Sequence, residues 1–557
     1  MSRVVKSKLS NELKTEYLIA QRIVYSLNIF NEQLLLSDSP NIATLGCNDI
    51  CVLKPGSVVV LDFGEEICGG IEITTSASES ESSQLRIVFG ESVSEAMSDI
   101  GYKNATNDHS LRDTIVTALN YSNMRVGSTG FRFVKIECVD GNCHVSGIRA
   151  ASEYRDIEYK GSFECDDELL NEIWRIGART VHLNMQNYLL DGIKRDRLVW
   201  VGDMHPEVSA IMSVFGYDDI VDKSLQLIRD TTPSNEWMNT LPSYSLWWLI
   251  IHYDWYLYTG NRQILLNNKD YIVEVTRHIL EVIHDDGTDS FSASTENRDA
   301  SNPYLKYFID WGTIGKADSK TGFYSIVIMS LNAAYELLRI LDEDSLAQLC
   351  SNKIETIKTF ALPETSDRQC ASLGVLAGIL DASDVNSSVL CKEPVADITS
   401  FLGYYVLLAK GMANDVTGAL DIIRKYWGRM IELGATSFWE FFDYPSSFDA
   451  APIDEFVSDG KKDIHADFGT ECYEGLRCSL CHGWACGPTP FISRYVLGVE
   501  ILEPGCMKLR IKPQLGNLKW IRGTYPTPYG IVKIYAEYSD GKIKVDIEHP
   551  DEILIEE

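Results

Sequence analysis

Residues 167–174 read Asp-Glu-Leu-Leu-Asn-Glu-Ile-Trp, and at this stretch the apolar pattern changes from that of strands to that of helices. Apolar residues then recur at helical spacing as far as about Tyr188. Further helical segments follow at about 204–229, 243–259, 266–285, 323–342, 345–360, 395–411 and 415–430. So many consecutive helices favour an all-helical barrel or toroid over an α/β fold.

Strand-like sequence lies on both sides of this helical region. From Val58 to Ser146 the runs VVVLDFG, GGIEITT, QLRIVFG and FRFVKIECV alternate with Gly, Ser and Asn clusters, a pattern typical of a β-sandwich. After Val499 the runs MKLRIKP, GIVKIYAEY and KIKVDIE are separated by turns. We therefore predict an N-terminal β-sandwich domain at 1–160, a catalytic helical domain at 161–495 and a small C-terminal β domain at 496–557.

The composition excludes several classes of function. The 557 residues include 50 Lys and Arg against 80 Asp and Glu, a net charge of −30, which disfavours nucleic-acid and membrane-surface partners. The longest apolar run, Ser245 to Tyr258, contains His252 and Asp254 and is too short for a membrane span. The absence of a signal-like N-terminus, with 14 scattered Cys, predicts reduced thiols in the cytoplasm.

The densest group of charged residues is Asp191-Gly-Ile-Lys-Arg-Asp-Arg-Leu-Val-Trp-Val-Gly-Asp203, between two predicted helices. One interpretation is a salt-bridged connection between helices. Trp200 and Gly202 favour a site instead, because solvated charge runs seldom contain an indole. A carboxylate next to other carboxylates and an apolar wall has a raised pKa, as a general acid requires, while Arg195 and Arg197 would lower that pKa.

A second candidate is Gly434-Ala-Thr-Ser-Phe-Trp-Glu-Phe-Phe-Asp443, where Glu440 lies among four aromatic residues. It could be a helix start capped by Thr436 or Ser437. It could equally be a carboxylate at the floor of an aromatic sugar pocket. Trp237 and Trp311 lie in predicted loops and are candidates for stacking on a sugar ring.

The segment Cys478-Ser-Leu-Cys-His482 matches a haem-attachment pattern, and nearby cysteines could bind zinc. We expect reduced structural thiols here, because haem attachment requires export and the cysteine spacing is irregular. His482 remains a candidate partner for a sugar hydroxyl. The sequence contains no G-x-S-x-G, H-E-x-x-H, P-loop or G-x-G-x-x-G motif, which disfavours a serine hydrolase, a zincin, an NTPase and a dinucleotide-dependent enzyme.

These motifs resemble those of the α-L-rhamnosidases of glycoside hydrolase family 78. The family motif D-x-x-x-R-E-R-x-x-W-x-G-D fits Asp191 to Asp203 at every marked position except one, where Asp196 replaces the family's general-acid Glu. The family's general base falls on Glu440 after Trp439, and its sugar-binding His falls on His482. The resemblance extends to the two flanking β regions, through LDFGEEICGGIEI and NATNDHSLRD in the N-terminal region and GTYPTPYG in the C-terminal region. The resemblance implies a central (α/α)₆ barrel between two β domains.

The resemblance implies an inverting hydrolase that removes terminal α-L-rhamnose, with a small glycoside or oligosaccharide as substrate. Asp196 would be the general acid and Glu440 the general base, and this chemistry requires neither a metal nor a cofactor. The expected sugar-binding residues are Asp191, Arg195, Trp200, Asp203, Trp237, Trp311, Trp439 and His482.

The shorter Asp196 implies either a carboxyl too far from the glycosidic oxygen or a loop whose backbone has moved inward, which we favour. The alternatives are a glycosidase of the same fold acting on another deoxy sugar or a uronic acid, and a carbohydrate-binding protein without turnover. A further variant of the enzyme uses Asp203 or Glu207 as its acid.

Overall fold

The structure is a computed structural model that describes residues 13–37, 50–292, 303–470 and 473–556. The described chain contains strands, then helices, then strands, which is the predicted order. It separates into two compact units. The first unit comprises 1–156, 182–198 and 429–482, and the second comprises 157–181, 199–428 and 483–557. Two connections of the predicted helical domain thus group with the N-terminal strands.

The first unit contains a seven-stranded sheet whose alternating apolar residues form one core. Its strands are β1 (Leu13–Ile19), β2 (Arg22–Phe30), β3 (Cys51–Thr75), β4 (Ser82–Gly90), β5 (Asp113–Leu119), β6 (Asn123–Asp140) and β7 (Cys143–Arg155). They are ordered β1-β7-β3-β6-β4-β5, and β2 pairs with β3. Leu61, Ile73, Leu85, Ile87 and Phe131 are among the fully buried core residues, as their period-two spacing predicts. A short helix, α1 (Val93–Met97), follows β4.

Helices dominate the central region, in chain order. They are α2 (Glu168–Asn184), α3 (Met204–Val214), α4 (Asp219–Thr231), α5 (Pro242–Thr259), α6 (Arg262–Val282), α7 (Ser319–Ile340), α8 (Asp344–Ile357), α9 (Arg368–Leu376), α10 (Ala382–Val385), α11 (Leu402–Met412), α12 (Val416–Glu432) and α13 (Pro488–Phe491). Helices α5, α7 and α11 are buried on most sides, whereas α4, α6 and α8 bury one face. These buried helices form a helical core.

Most of the long helices lie where the sequence predicts them. The predicted helix at 204–229 is divided into α3 and α4, because Gly216 adopts a left-handed backbone with φ of 85°. The short helices α9, α10 and α13 were not predicted, and α11 begins at Leu402 rather than near residue 395. The apolar run from Ser245 to Tyr258 is a buried helix, as predicted. Within the described residues, α7 is long and apolar enough to span a membrane, although most of its apolar stretch is buried in the protein.

The remaining strands form small sheets. They are β8 (Ser162–Cys165), β9 (Ala450–Ala451), β10 (Lys462–Asp463), β11 (Val499–Glu503), β12 (Lys508–Ile511), β13 (Trp520–Thr527), β14 (Gly530–Ser539), β15 (Lys542–Glu548) and β16 (Leu554–Glu556). In the second unit the orders are β15-β14-β13-β8 and β11-β12-β16. The turn between β14 and β15 uses Asp540 and Gly541 with positive φ, as the Ser-Asp-Gly sequence predicts. β8 joins the C-terminal strands although it precedes α2.

Candidate active site

The charged motif after α2 forms a closed loop in the first unit. Asp191 closes it twice, because its backbone N–H donates to the carbonyl of Leu198 at 3.0 Å and its Oδ1 accepts from the Leu198 N–H at 2.9 Å. At the loop tip Asp196 and Arg197 both have φ of 54°, a left-handed conformation that non-glycine residues seldom adopt. The sharp turn presents the Asp196 side chain at the tip.

Glu440 is the most firmly held carboxylate of this group. Arg195 forms an ion pair with its Oε1, and the Ser479 N–H donates to its Oε2 at 3.0 Å. The Glu440 N–H in turn donates to the Ser479 carbonyl. Burial raises the pKa of Glu440, as does the charge of Asp196, while Arg195 opposes this shift. A fixed carboxylate of raised basicity is suited to remove a proton from water.

His482 lies next to the carboxylates of Asp191 and Glu440. Its Nε2 is 3.7 Å from Asp191 Oδ2 and 3.8 Å from Glu440 Oε1. Its backbone N–H donates to the carbonyl of Phe438. Burial lowers the pKa of His482 well below its ordinary value, and the positive charge of Arg195 lowers it further. The ring is therefore neutral near pH 7, and it can both donate to and accept from a sugar hydroxyl.

Asp196 lies next to two cationic or basic side chains, those of Arg195 and His109. Its Oδ1 lies 3.7 Å from Arg195 Nε and 3.4 Å from His109 Nε2. The Asp196 side chain is 20% exposed, whereas that of Glu440 is 1% exposed. Sequence reasoning missed His109, since it is a single histidine in a strand-rich region and is far from the motif. The quoted run NATNDHSLRD contained it, but gave it no role.

A buried ionic network stabilises the segment at Ser479 and Leu480 that holds Glu440. The Lys194 ammonium lies 2.9 Å from Glu91 and 3.2 Å from Glu95. Glu91 accepts the Ser479 hydroxyl at 3.1 Å and the Leu480 N–H at 2.6 Å. The network therefore fixes the backbone whose N–H holds Glu440. Burial raises the pKa of Glu91 to about 7, against the effect of Lys194. The sequence gave no sign of these two glutamates.

Glu91, Glu95 and His465 also lie close enough together to bind a metal ion. The Lys194 ammonium already contacts both carboxylates, so a positive charge is present between them. Burial lowers the pKa of His465 to about 4, with Lys194 adding to the shift. This arrangement is that of a structural ion-pair network rather than an open metal site.

In the second unit, Asp203 and Trp200 both contact Tyr244. The Tyr244 hydroxyl donates to Asp203 Oδ1 at 2.9 Å, and the rings of Trp200 and Tyr244 meet edge to face at 5.7 Å. A Cβ at Gly202 would lie 2.4 Å from the Tyr244 ring. The glycine of the motif is therefore required for this tyrosine to approach.

The other aromatic candidates differ in their surroundings. Trp311 contacts Phe308 at 5.3 Å between ring centroids and remains partly exposed. Trp237 is 7% exposed and packs against His278 and Phe291. In the first unit, Trp439 is fully buried against Phe442. The structure thus leaves Trp311 the most accessible of these three indoles, while the sugar-binding roles of all three stay predictions.

Comparisons with known proteins confirm the resemblance read from the motifs. Residues 158–302 match the family model of the bacterial α-L-rhamnosidase six-hairpin glycosidase domain. Residues 498–554 match that of the bacterial α-L-rhamnosidase C-terminal domain. An α-L-rhamnosidase of Formosa agariphila is 31% identical over 100 residues, which are 18% of this chain and 10% of the relative. The matched part is thus a small fraction of that relative's length.

Solved structures share the fold over most of the chain. A family 78 rhamnosidase of Bacillus sp. GL1 has a TM-score of 0.73 at 20% identity, covering 94% of this chain and 55% of that one. A Klebsiella oxytoca rhamnosidase with rhamnose bound has a TM-score of 0.66 at 20% identity, covering 87% and 96%. At this identity the likeness establishes a shared multidomain fold with a helical core and several sheets.

Proposed function

From the confirmed resemblance to the family 78 α-L-rhamnosidases, we propose that this protein is an inverting α-L-rhamnosidase. The observation that carries the proposal is Glu440, a buried carboxylate of raised pKa held by Arg195 and Ser479, beside the second carboxylate Asp196. An enzyme of this kind needs one carboxylate to activate water and one carboxylic acid to protonate the leaving oxygen. We further propose that the helical core is an (α/α)₆ barrel and that the protein is cytoplasmic.

In the proposed reaction Glu440 accepts a proton from water as the water oxygen attacks the anomeric carbon. Asp196 donates its proton to the glycosidic oxygen as the bond to the anomeric carbon breaks. The products are rhamnose of inverted anomeric configuration and the free alcohol. Arg195 contacts both carboxylates, through different nitrogens, and so lies between them. The proposed mechanism requires a separation of about 6.5–9.5 Å between the two carboxyl groups, which admits the water.

The remaining predicted residues are proposed to bind the sugar. Asp191 and His482 are buried next to Glu440 and offer an acceptor and a neutral imidazole for ring hydroxyls. Asp203 is proposed as a further hydroxyl acceptor. The apolar face and methyl group of the sugar are assigned to aromatic side chains, namely Trp200, Trp237, Trp311 and Trp439.

The replacement of Glu by Asp at the acid position is compatible with turnover. The left-handed backbone at Asp196 and Arg197 supports the second explanation, in which the loop backbone compensates for the shorter side chain. His109, 3.4 Å from Asp196, provides a further group that can orient the carboxyl. An Asp196 without catalytic function is the basis of the competing proposal, a binding protein that has lost turnover.

A panel of aryl glycosides tests the proposal. The full chain should release the aryl alcohol from the α-L-rhamnoside faster than from other deoxy-sugar, uronic-acid and hexose glycosides. NMR at early times should show the β-anomer of rhamnose first. Faster release from another glycoside would show that its sugar, and not rhamnose, is the preferred substrate. Rhamnose binding with no release from any glycoside would favour the binding protein, and first appearance of the α-anomer would refute inversion.

A further inference from the structure

A large cavity lies in the second unit, beside the C-terminal halves of α5 and α7. Two adjoining hollows of about 350 and 660 Å³ share four lining residues: His205, Tyr253, Asp254 and Arg494. We call them together the Arg494 cavity. Asp254 follows Tyr244 by ten residues on α5, a rise of about 15 Å. The cavity is therefore distant from the Asp203 group, which Tyr244 contacts near the start of the same helix.

Several polar groups in this cavity make no hydrogen bond with the residues that the structure describes. The Arg494 guanidinium makes neither a hydrogen bond nor an ion pair there, and it is solvent-accessible. The hydroxyl of Tyr253 and the carboxylate of Glu336 are likewise unbonded. Asp254 uses only Oδ2, to His205 at 3.2 Å. A cavity of this kind with a few convergent polar groups is typical of a ligand site.

The charges around Arg494 indicate a neutral ligand. Asp254, Glu336, Glu355 and Glu500 line the two hollows together with the cations Arg494 and Lys358, and Lys358 is paired with Glu355. An anion would be repelled by the excess of carboxylates, and the Arg494 guanidinium near Asp254 and Glu500 opposes a cation at those two groups. Vicinal hydroxyls can instead donate to a carboxylate and accept from a guanidinium at the same time. That combination is the chemistry of a saccharide.

The walls also suit a saccharide in rigidity and size. The His205 ring is stacked with Trp247 and Tyr405 at interplanar angles of 24° and 6°, and its Nδ1 lies 2.9 Å from the Tyr405 hydroxyl. This packing fixes the imidazole that holds Asp254. Both hollows fall within the roughly 300–1,000 Å³ of small-molecule sites.

We propose that the Arg494 cavity is a second saccharide site, which binds a neutral mono- or disaccharide away from the candidate active site. The proposal stands on the cavity's own chemistry and does not depend on rhamnosidase activity.

Calorimetric titration of the full chain with L-rhamnose, D-glucose and maltose tests it, with D-glucuronate and phosphate as anionic probes. Asp191→Asn should retain binding of at least one neutral saccharide. Combining it with Arg494→Met should weaken that binding at least tenfold, whereas Arg175→Met, which removes an exposed arginine, should not. Hydrogen exchange on saturation should show protection at 249–257 and 490–501.

Asp254→Asn and Tyr253→Phe keep the test valid if Arg494→Met unfolds, because both keep the shape of the side chain. The proposal is overturned if Asp191→Asn binds none of the three sugars, if the cavity variants bind them as the parent does, or if the anions bind more tightly. Hydrolysis of an aryl rhamnoside, measured separately, should change less than about twofold in Arg494→Met. Because binding and hydrolysis are measured separately, a parent chain that does not hydrolyse the aryl rhamnoside would not alter the result for saccharide binding in the cavity.

Discussion

The segment around Glu440 and the tip of the loop that carries Asp196 lie in the same unit, but they are held in different ways. Glu440 is buried, contacts Arg195 and Ser479, and is supported by the Lys194 network. Asp196 is partly exposed, has a left-handed backbone and lies near Arg195 and His109. In the proposed reaction the base is thus fixed before substrate arrives, whereas the acid can adjust to the leaving group.

Glu440→Gln should have the largest effect on catalysis, because it removes the fixed base while preserving shape. We expect kcat/KM to fall by about 10⁴-fold, at the upper end for general-base catalysis, whatever the leaving group. The matched control is Glu432→Gln, which changes an exposed glutamate paired with Arg429. A loss below tenfold would show that Glu440 is not the base.

Lys194→Met should have the largest effect on stability. It leaves Glu91 and Glu95 buried without their cation, a change that typically costs about 3–5 kcal/mol. Thermal or urea unfolding measures the loss. Lys14→Met, which removes an exposed pair with Asp156, should cost less than about 1 kcal/mol. Equal costs for the two variants would contradict the view that this network supports Glu440.

Asp196→Asn should depend on the leaving group, in contrast to Glu440→Gln. A poor leaving group needs protonation, so kcat/KM for an alkyl rhamnoside should fall by about 10²–10³-fold. For a dinitrophenyl rhamnoside the loss should be much smaller. Asp203→Asn and Glu207→Gln, assayed in parallel, should not show this dependence. If one of them does, the acid is that residue and Asp196 is not.

Arg195→Gln should move the acid limb of the pH profile. Glu440 must be ionised to act as a base, so activity rises as pH increases through its pKa, which burial already raises. Arg195 lowers that pKa, and its removal should therefore shift the limb of kcat/KM to higher pH. Arg175→Gln serves as the control. A limb that stays in place or shifts to lower pH would argue against titration of Glu440.

His109→Asn should have the smallest effect on catalysis. The effect should be confined to proton donation by Asp196. Partly exposed charge pairs contribute about 0.2–1 kcal/mol, so we expect at most about a fivefold loss with the alkyl rhamnoside. The dinitrophenyl rhamnoside should be unaffected. An equal loss on both substrates would assign His109 to sugar binding rather than to Asp196.

The sequence predicted those parts of the site that lie in contiguous motifs. Asp191, Arg195, Asp196, Glu440 and His482 were all identified from local composition and the family resemblance, and the structure groups them in one unit. Their other partners, among them His109 and Ser479, were not identified. They come from strands and turns remote in sequence, and no local periodicity records a contact between such distant segments.

The same distinction applies to the fold. Long helices such as α5 and α7 were predicted because their apolar faces repeat over many turns. The short helix α9 and the break at Gly216 were missed, since nine residues give little periodicity and one glycine does not by itself end a helix.

The pairing of β8 with β13 has a consequence for biosynthesis. Residues 162–165 find their partner only at 521–524, and the first unit likewise needs residues 429–482. Domains generally fold during translation from the N-terminus onwards, but here neither unit has all its segments until most of the chain has left the ribosome. We therefore expect nascent chains that stop before residue 482 to be protease-sensitive and to require chaperones.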